Sequence, residues 1–127
     1  MHTSDRVMEA AHKLPLSDDN ALIRKAAKNA AEALGLSLAA LGNIVGTRRE
    51  NFSRASARLD PKQAELALLV VRVARDLSAL SSGDRANMRH WVATPNRHLE
   101  AAPAELMTSV EGLVRVVHYL DAMRGKL

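Results

Sequence analysis

Between Gly46 and Asp60 the chain carries Arg48, Arg49, Arg54 and Arg58 against one carboxylate, Glu50, with Asn51 and Ser53 set among them. Such side chains hold phosphates and read base edges. A guanidinium pairs bidentately with guanine or a phosphate, an Asn amide pairs with adenine, and a Ser hydroxyl serves either. An arginine run is equally the ordinary solvated face of a helix, so composition alone leaves both readings open. Other chemistries find less support. His2, His12, His90, His98 and His118 are scattered, and the one close pair, His90 and His98, straddles Pro95 with no acidic residue at a ligand spacing. No metal site is therefore expected. Gly35, Gly42 and Gly46 follow no strand pattern and precede no Gly-Lys-Ser/Thr, so they do not make a phosphate loop. With no cysteine there is neither a disulfide nor a thiolate site. The expectation is a binding protein without cofactor or small-molecule substrate and not an enzyme, although catalytic residues can converge from distant positions without a linear motif.

The elements that must position these residues are helices. The chain has 127 residues, 47% of them hydrophobic but only 2% aromatic, with Ala and Leu dominant. This composition favours an all-α fold with one core. The net charge of +4 permits nucleic-acid binding without requiring it. No apolar run is long enough for a membrane span or a signal peptide, so the protein is expected in the cytoplasm.

Residues 1–17 read as a flexible arm. Ser17 is a plausible cap for a helix whose stripe is Leu22, Ile23, Ala26, Ala27, Ala30, Ala31 and Leu34, stopped by Gly35. Ser37 caps a short helix ending at Gly46. Thr47 can cap a third, running through Phe52 towards Ala57. Pro61 opens a long helix to about residue 80 that is apolar nearly all round, which requires burial on several sides. That helix is either the central core helix of a monomer or, in part, the seam of a homodimer. Ser81, Ser82 and Gly83 form a linker, Asp84 caps the next helix, and Thr94-Pro95-Asn96 breaks it. Trp91 is expected to anchor the core beneath that break. Pro103 starts another helix, and a final one carries Leu113, Val114, Val117, Leu120 and Met123 before a basic tail from Arg124 to Leu127.

Residues 37–58 hold the first informative spacing. Gly42 lies mid-helix, Gly46 at the turn, and Phe52 six residues further on. Two helices crossing steeply need a small residue at the close approach, a glycine for a left-handed turn, and a large apolar residue pinning the second helix. The pattern resembles the helix-turn-helix of Xre and phage-repressor-type proteins, with Thr47 standing where those have an apolar residue. On that resemblance Arg48, Arg49, Asn51, Ser53, Arg54 and Arg58 are the DNA-binding residues, and a dimer would read operator DNA.

A second resemblance covers the C-terminal part. Trp91-Val92, Pro95-Asn96, Leu99, Pro103 to Thr108, Glu111-Gly112 and the Val117–Leu120 helix are similar, in order and spacing, to the toxin-binding domain of the Xre/MbcA/ParS antitoxin family. Val92 replaces the usual Leu, and Glu100-Ala101 replaces a frequent Gly-Gly. The combined resemblance implies an N-terminal helix-turn-helix at residues 18–60, a connecting and dimerisation helix with linker at 61–83, and a helical toxin-binding domain at 84–127. It further implies an antitoxin that covers the active site of a RES-domain, NAD-degrading toxin and represses its own operon. The toxin-binding residues would be Arg115, His118 and Tyr119 on the last helix and Arg124, Gly125, Lys126 and Leu127 in the tail, where basic groups suit a pocket for dinucleotide phosphates. A dimeric helix-turn-helix repressor without a toxin partner is the main alternative, and a helical adaptor that binds no DNA is another.

Overall fold

The computed structural model describes residues 16–126, which form helices joined by short turns. The expected arm at residues 1–17 lies almost wholly outside them. Seven helices are described: α1 (Leu16–Leu34), α2 (Leu38–Val45), α3 (Glu50–Ser53), α4 (Pro61–Leu80), α5 (Arg85–Ala93), α6 (Pro103–Leu106) and α7 (Val110–Arg124). No β-strand occurs among the described residues, and no helix there is long and apolar enough to cross a membrane.

Helix α4 is the spine. Its start is fixed by a reciprocal capping box: Asp60 Oδ1 accepts from the Gln63 amide at 2.8 Å, and Gln63 Oε1 accepts from the Asp60 amide at 2.9 Å. Leu66, Ala67, Val70, Val73 and Leu77 are buried along it, with α1 against one side and α7 against another. The central-core alternative accounts for most of its apolar surface. Leu68 is the large exception, at 48% exposed.

Helix α1 buries Ala27, Ala30, Ala31 and Leu34. It already includes Ser17, which is therefore not its cap. Leu22, expected in the buried stripe, is instead 65% exposed, while Asn20 and Arg24 are buried. The chain leaves α1 through Gly35 at φ +76°, with the Leu36 amide donating to the Ala31 carbonyl at 2.8 Å. At this turn Arg89 of α5 donates to the Glu32 carbonyl at 2.8 Å, tying the two halves together.

The C-terminal half closes on Met88, Val92, Leu99, Met107, Leu113, Val116 and Leu120, all buried. Gly112 is where α6 ends against α7: a Cβ there would lie 1.9 Å from the Leu106 carbonyl oxygen. Only glycine fits. Trp91 is half-buried at the edge of this core and not the anchor beneath the break; Met88 and Val92 on the same helix fill that place. The turn after α5 is built on Asn96, whose side-chain oxygen accepts from the amides of His98 (2.8 Å) and Leu99 (3.2 Å). This turn forms without the Gly-Gly, and Glu100 takes φ +66° to complete it.

Candidate functional site

The helix-turn-helix is assembled from α2, the turn and α3. Ser37 caps α2, accepting from the Ala40 amide at 3.0 Å. Gly46 closes it at φ +87°. A Cβ on Gly42 would sit 2.5 Å from the Thr47 carbonyl oxygen, so this glycine allows the turn to cross α2. Phe52 is buried and pins α3. Three of the expected devices are thus present at the expected positions.

Helix α3 differs from expectation. It is a single turn, Glu50–Ser53, and does not continue towards Ala57. Thr47 does not cap it; its Oγ1 accepts from Asn51 Nδ2 at 2.6 Å. The early stop is held from α1. Arg54 leaves the helix with an extended backbone at ψ 131°, and Arg24 Nη1 holds it there by donating at 2.9 Å to the Arg54 carbonyl, which also accepts from the Ala57 amide at 3.1 Å. Asn20 then fixes the end of the segment, donating to the Leu59 carbonyl at 2.8 Å and accepting from the Leu59 amide at 3.0 Å. Asn20 and Arg24 were not among the sequence candidates. Their signal was their phase, since Asn20, Arg24, Ala27, Ala31 and Leu34 fall on one face of α1.

Held this way, Arg48, Arg49, Ser53, Arg54 and Arg58 are all exposed, whereas Asn51 is half-buried and tied back to Thr47. Arg49, Ser53 and Arg54 line a cleft of about 440 Å³ together with Ser37, Leu38 and Ala39 at the N-terminus of α2. The positive end of a helix dipole and two guanidinium groups converge there, and Glu50 is the acid at its edge. Arg48 and Arg58 lie outside this cleft.

On the last helix Tyr119 stacks between Trp91, with ring centroids 6.2 Å apart, and His98, at 6.0 Å. Trp91, Tyr119, Leu77, Leu80, Leu120 and Met123 surround an apolar hollow of about 290 Å³. Arg115 is exposed and reaches the His98 carbonyl at 3.5 Å and Glu100 at 4.0 Å; His118 is exposed beside this surface. Among the described residues no group of three His, Asp or Glu side chains could hold a metal ion.

The expected tail is corrected at its first residue. Arg124 belongs to α7, and its Nη1 donates to Asp76 Oδ1 at 3.0 Å. Gly125 ends the helix, Lys126 is exposed, and Leu127 lies outside the described residues. Asp76 is buried on α4, and its Oδ2 receives no donor. Burial raises its carboxyl above the ordinary value of 3.8, and the neighbouring Asp121 adds to the rise by sharing a hydrogen bond with it. That same hydrogen bond and the Arg72 guanidinium hold Asp121 below 3.8. Arg72 binds Asp121 through two hydrogen bonds of 3.1 and 2.5 Å.

Comparison with known families decides what these surfaces belong to. The model of the antitoxin Xre-like helix-turn-helix domain matches residues 6–72, and that of the antitoxin Xre/MbcA/ParS C-terminal toxin-binding domain matches residues 76–126. The chain belongs to the Xre/MbcA/ParS antitoxin family. In this antitoxin the arginine-lined cleft lies on the helix-turn-helix domain, and the aromatic stack and apolar hollow lie on the toxin-binding domain, whose match begins within α4 and takes in Leu77 and Leu80. No curated protein shows a significant match to the chain.

Proposed function

We propose that this antitoxin neutralises a RES-domain toxin that degrades NAD and represses its own operon, acting in the cytoplasm as a homodimer. The observation that carries the reading is the pairing, on one chain, of an Xre-like helix-turn-helix match with a toxin-binding match directly after it. Arg49, Ser53 and Arg54 grip phosphate at the N-terminus of α2, and Arg48 and Arg58 extend the contact along the backbone. With α3 only one turn long and Asn51 drawn back, few side chains reach base edges. Affinity then rests mainly on phosphate contacts and on pairing two half-sites. On the other domain Arg115, His118 and Tyr119 face the toxin. The Arg124–Asp76 bond keeps α7 firm to its last residue, so that Gly125, Lys126 and Leu127 are the segment directed at the toxin's phosphate-binding pocket.

Co-expression with a RES-domain toxin encoded beside it tests the main claim. Rescue of growth and of cellular NAD, with a co-purifying complex that weakens when residues 125–127 are removed, is the expected result. No rescue and no complex would leave a repressor without a toxin partner. For the operon, Arg49→Ala with Arg54→Ala should weaken operator binding and flatten its salt dependence by about 2 in log–log slope per protomer.

A further inference from the structure

The apolar hollow where the C-terminal ends of α4 and α7 meet α5 is lined by no charged side chain. Ser81 and Asn87 are the polar residues on it, and both are engaged locally: the Ser81 hydroxyl donates to the Leu77 carbonyl at 2.7 Å, and the Asn87 side-chain amide to the Asp84 carboxylate at 3.3 Å. With no cation in its lining, the hollow offers nothing to a phosphate or a nucleotide. Its volume, about 290 Å³, falls just below the range of about 300–1,000 Å³ typical of small-molecule sites, and suits one large apolar side chain. The walls are reachable from solvent. Met123 is 37% exposed, and Leu80, Trp91 and Tyr119 are half-buried. They are also firm, since the Tyr119 ring is held between His98 and Trp91 and lies within 15° of parallel to the indole. Aromatic side chains already fixed in place lose little freedom when a partner covers them, and buried Trp and Tyr dominate binding energy at many protein interfaces.

We propose that this hollow is the apolar anchor point of the toxin complex and receives one large aliphatic or aromatic side chain from the toxin's surface. The inference rests on the toxin-binding reading above and supplies the chemistry of its contact. Two features direct the hollow to the toxin. Every residue lining it falls within the 76–126 match to the toxin-binding domain, and Met123 stands two residues before Gly125, where the segment directed at the toxin begins. The division of labour follows from the side chains. A basic tail suits any pocket built for phosphates, whereas a shaped apolar hollow favours the toxin that presents a matching side chain and leaves a polar one at that place without partners.

Trp91 is the single tryptophan of the chain, so labelling with 5-fluorotryptophan gives one ¹⁹F resonance from the wall of the hollow. Titration of the labelled chain with unlabelled toxin should move this resonance, and titration with a fragment of its own promoter should not. A resonance that keeps its free position while the complex forms overturns the proposal and leaves the toxin reading standing; absence of any complex overturns both. Movement with chain concentration alone, before toxin is added, places a second copy in the hollow and overturns it too. Affinity gives an independent measure. Met123→Glu puts a carboxylate into the apolar wall at an exposed position and should weaken toxin binding about thirtyfold or more, with the circular dichroism spectrum unchanged. Met123→Leu keeps the wall apolar and should stay within about threefold of wild type. Val110→Glu adds the same charge at an exposed apolar position in the first turn of α7, at the other end of the helix, and should leave affinity unchanged. Met123→Glu binding as tightly as wild type, or Val110→Glu binding as weakly as Met123→Glu, would overturn the proposal.

Discussion

The two halves of the chain each contain an irregular segment between helices, and they hold it by opposite means. Residues 54–60 are held from a distance, by Arg24 and Asn20 reaching across from α1 to backbone groups of Arg54 and Leu59. Residues 94–102 are held from within, by the Asn96 side chain, by the Asn96 amide donating to the Ala101 carbonyl and by the Glu100 amide donating to the Asn96 carbonyl, at the cost of a left-handed Glu100. The remote clamp binds backbone groups and leaves the segment's own arginines, Arg54 and Arg58, facing solvent. The local clamp uses up the polar groups of its own turn and leaves its neighbourhood to aromatic stacking. A segment secured from elsewhere is free to carry charge outward; a self-secured one is suited to presenting a firm apolar edge.

Four measurements bear on this contrast. The largest effect belongs to close packing in the C-terminal half. Gly112→Ala drives a Cβ into the Leu106 carbonyl and should cost about 3 kcal/mol or more, seen as a fall in Tm of roughly ten degrees. An unchanged Tm would show that α6 yields easily. Next is the remote clamp itself. Asn20→Ala strands a buried amide and carbonyl at Leu59 and should cost about 2 kcal/mol, with faster amide exchange over residues 54–60 and not over 94–102. Equal exchange in both segments would erase the distinction. Glu100→Gly relieves the left-handed residue and gives up only an exposed 4.0 Å ion pair to Arg115, so it should stabilise by about 0.5–1 kcal/mol.

The smallest effect is one of pH. The folded state holds the Asp76 proton more tightly than the unfolded chain does, so this contribution is complete below 3.8 and is lost as pH rises through the raised value. Asp121 acts oppositely, its contribution being present above 3.8 and lost as pH falls through the lowered value. Asp76→Asn has no proton to lose. Urea unfolding should therefore show the variant gaining on the wild type as pH rises from about 4 to 7. A constant difference between them would mean that Asp76 does not titrate in that window.

What the sequence disclosed divides along the same line. Devices that act within a few residues were legible: Ser37 and Asp84 as caps, Gly42 and Gly46 for the crossing and turn, Pro61 after Asp60, Pro95-Asn96 for the break, and Gly112 for close approach. The all-helical fold and the family followed from these. Contacts between residues far apart in the chain were not legible. The sequence reading carries α3 on towards Ala57, whereas Arg54 is extended and held by a residue 30 positions earlier, which no local propensity encodes. Arg124 reads as part of a tail until Asp76, 48 positions away, claims it. Leu22 fits the helical stripe by type yet faces outward, because Asn20 and Arg24 occupy the buried phase of α1.

Helix α4 packs against α1 on one side and α7 on the other, so among the described residues one helix belongs to the core of both halves. Folding free energy is then common property. A partner bound to the first half shields the second from proteases by the same amount as its own half, since occupancy raises the stability of the single native state by RT ln(1 + [L]/Kd). Partners on separate surfaces accordingly add their stabilisation, each lengthening the lifetime of the chain by its own term.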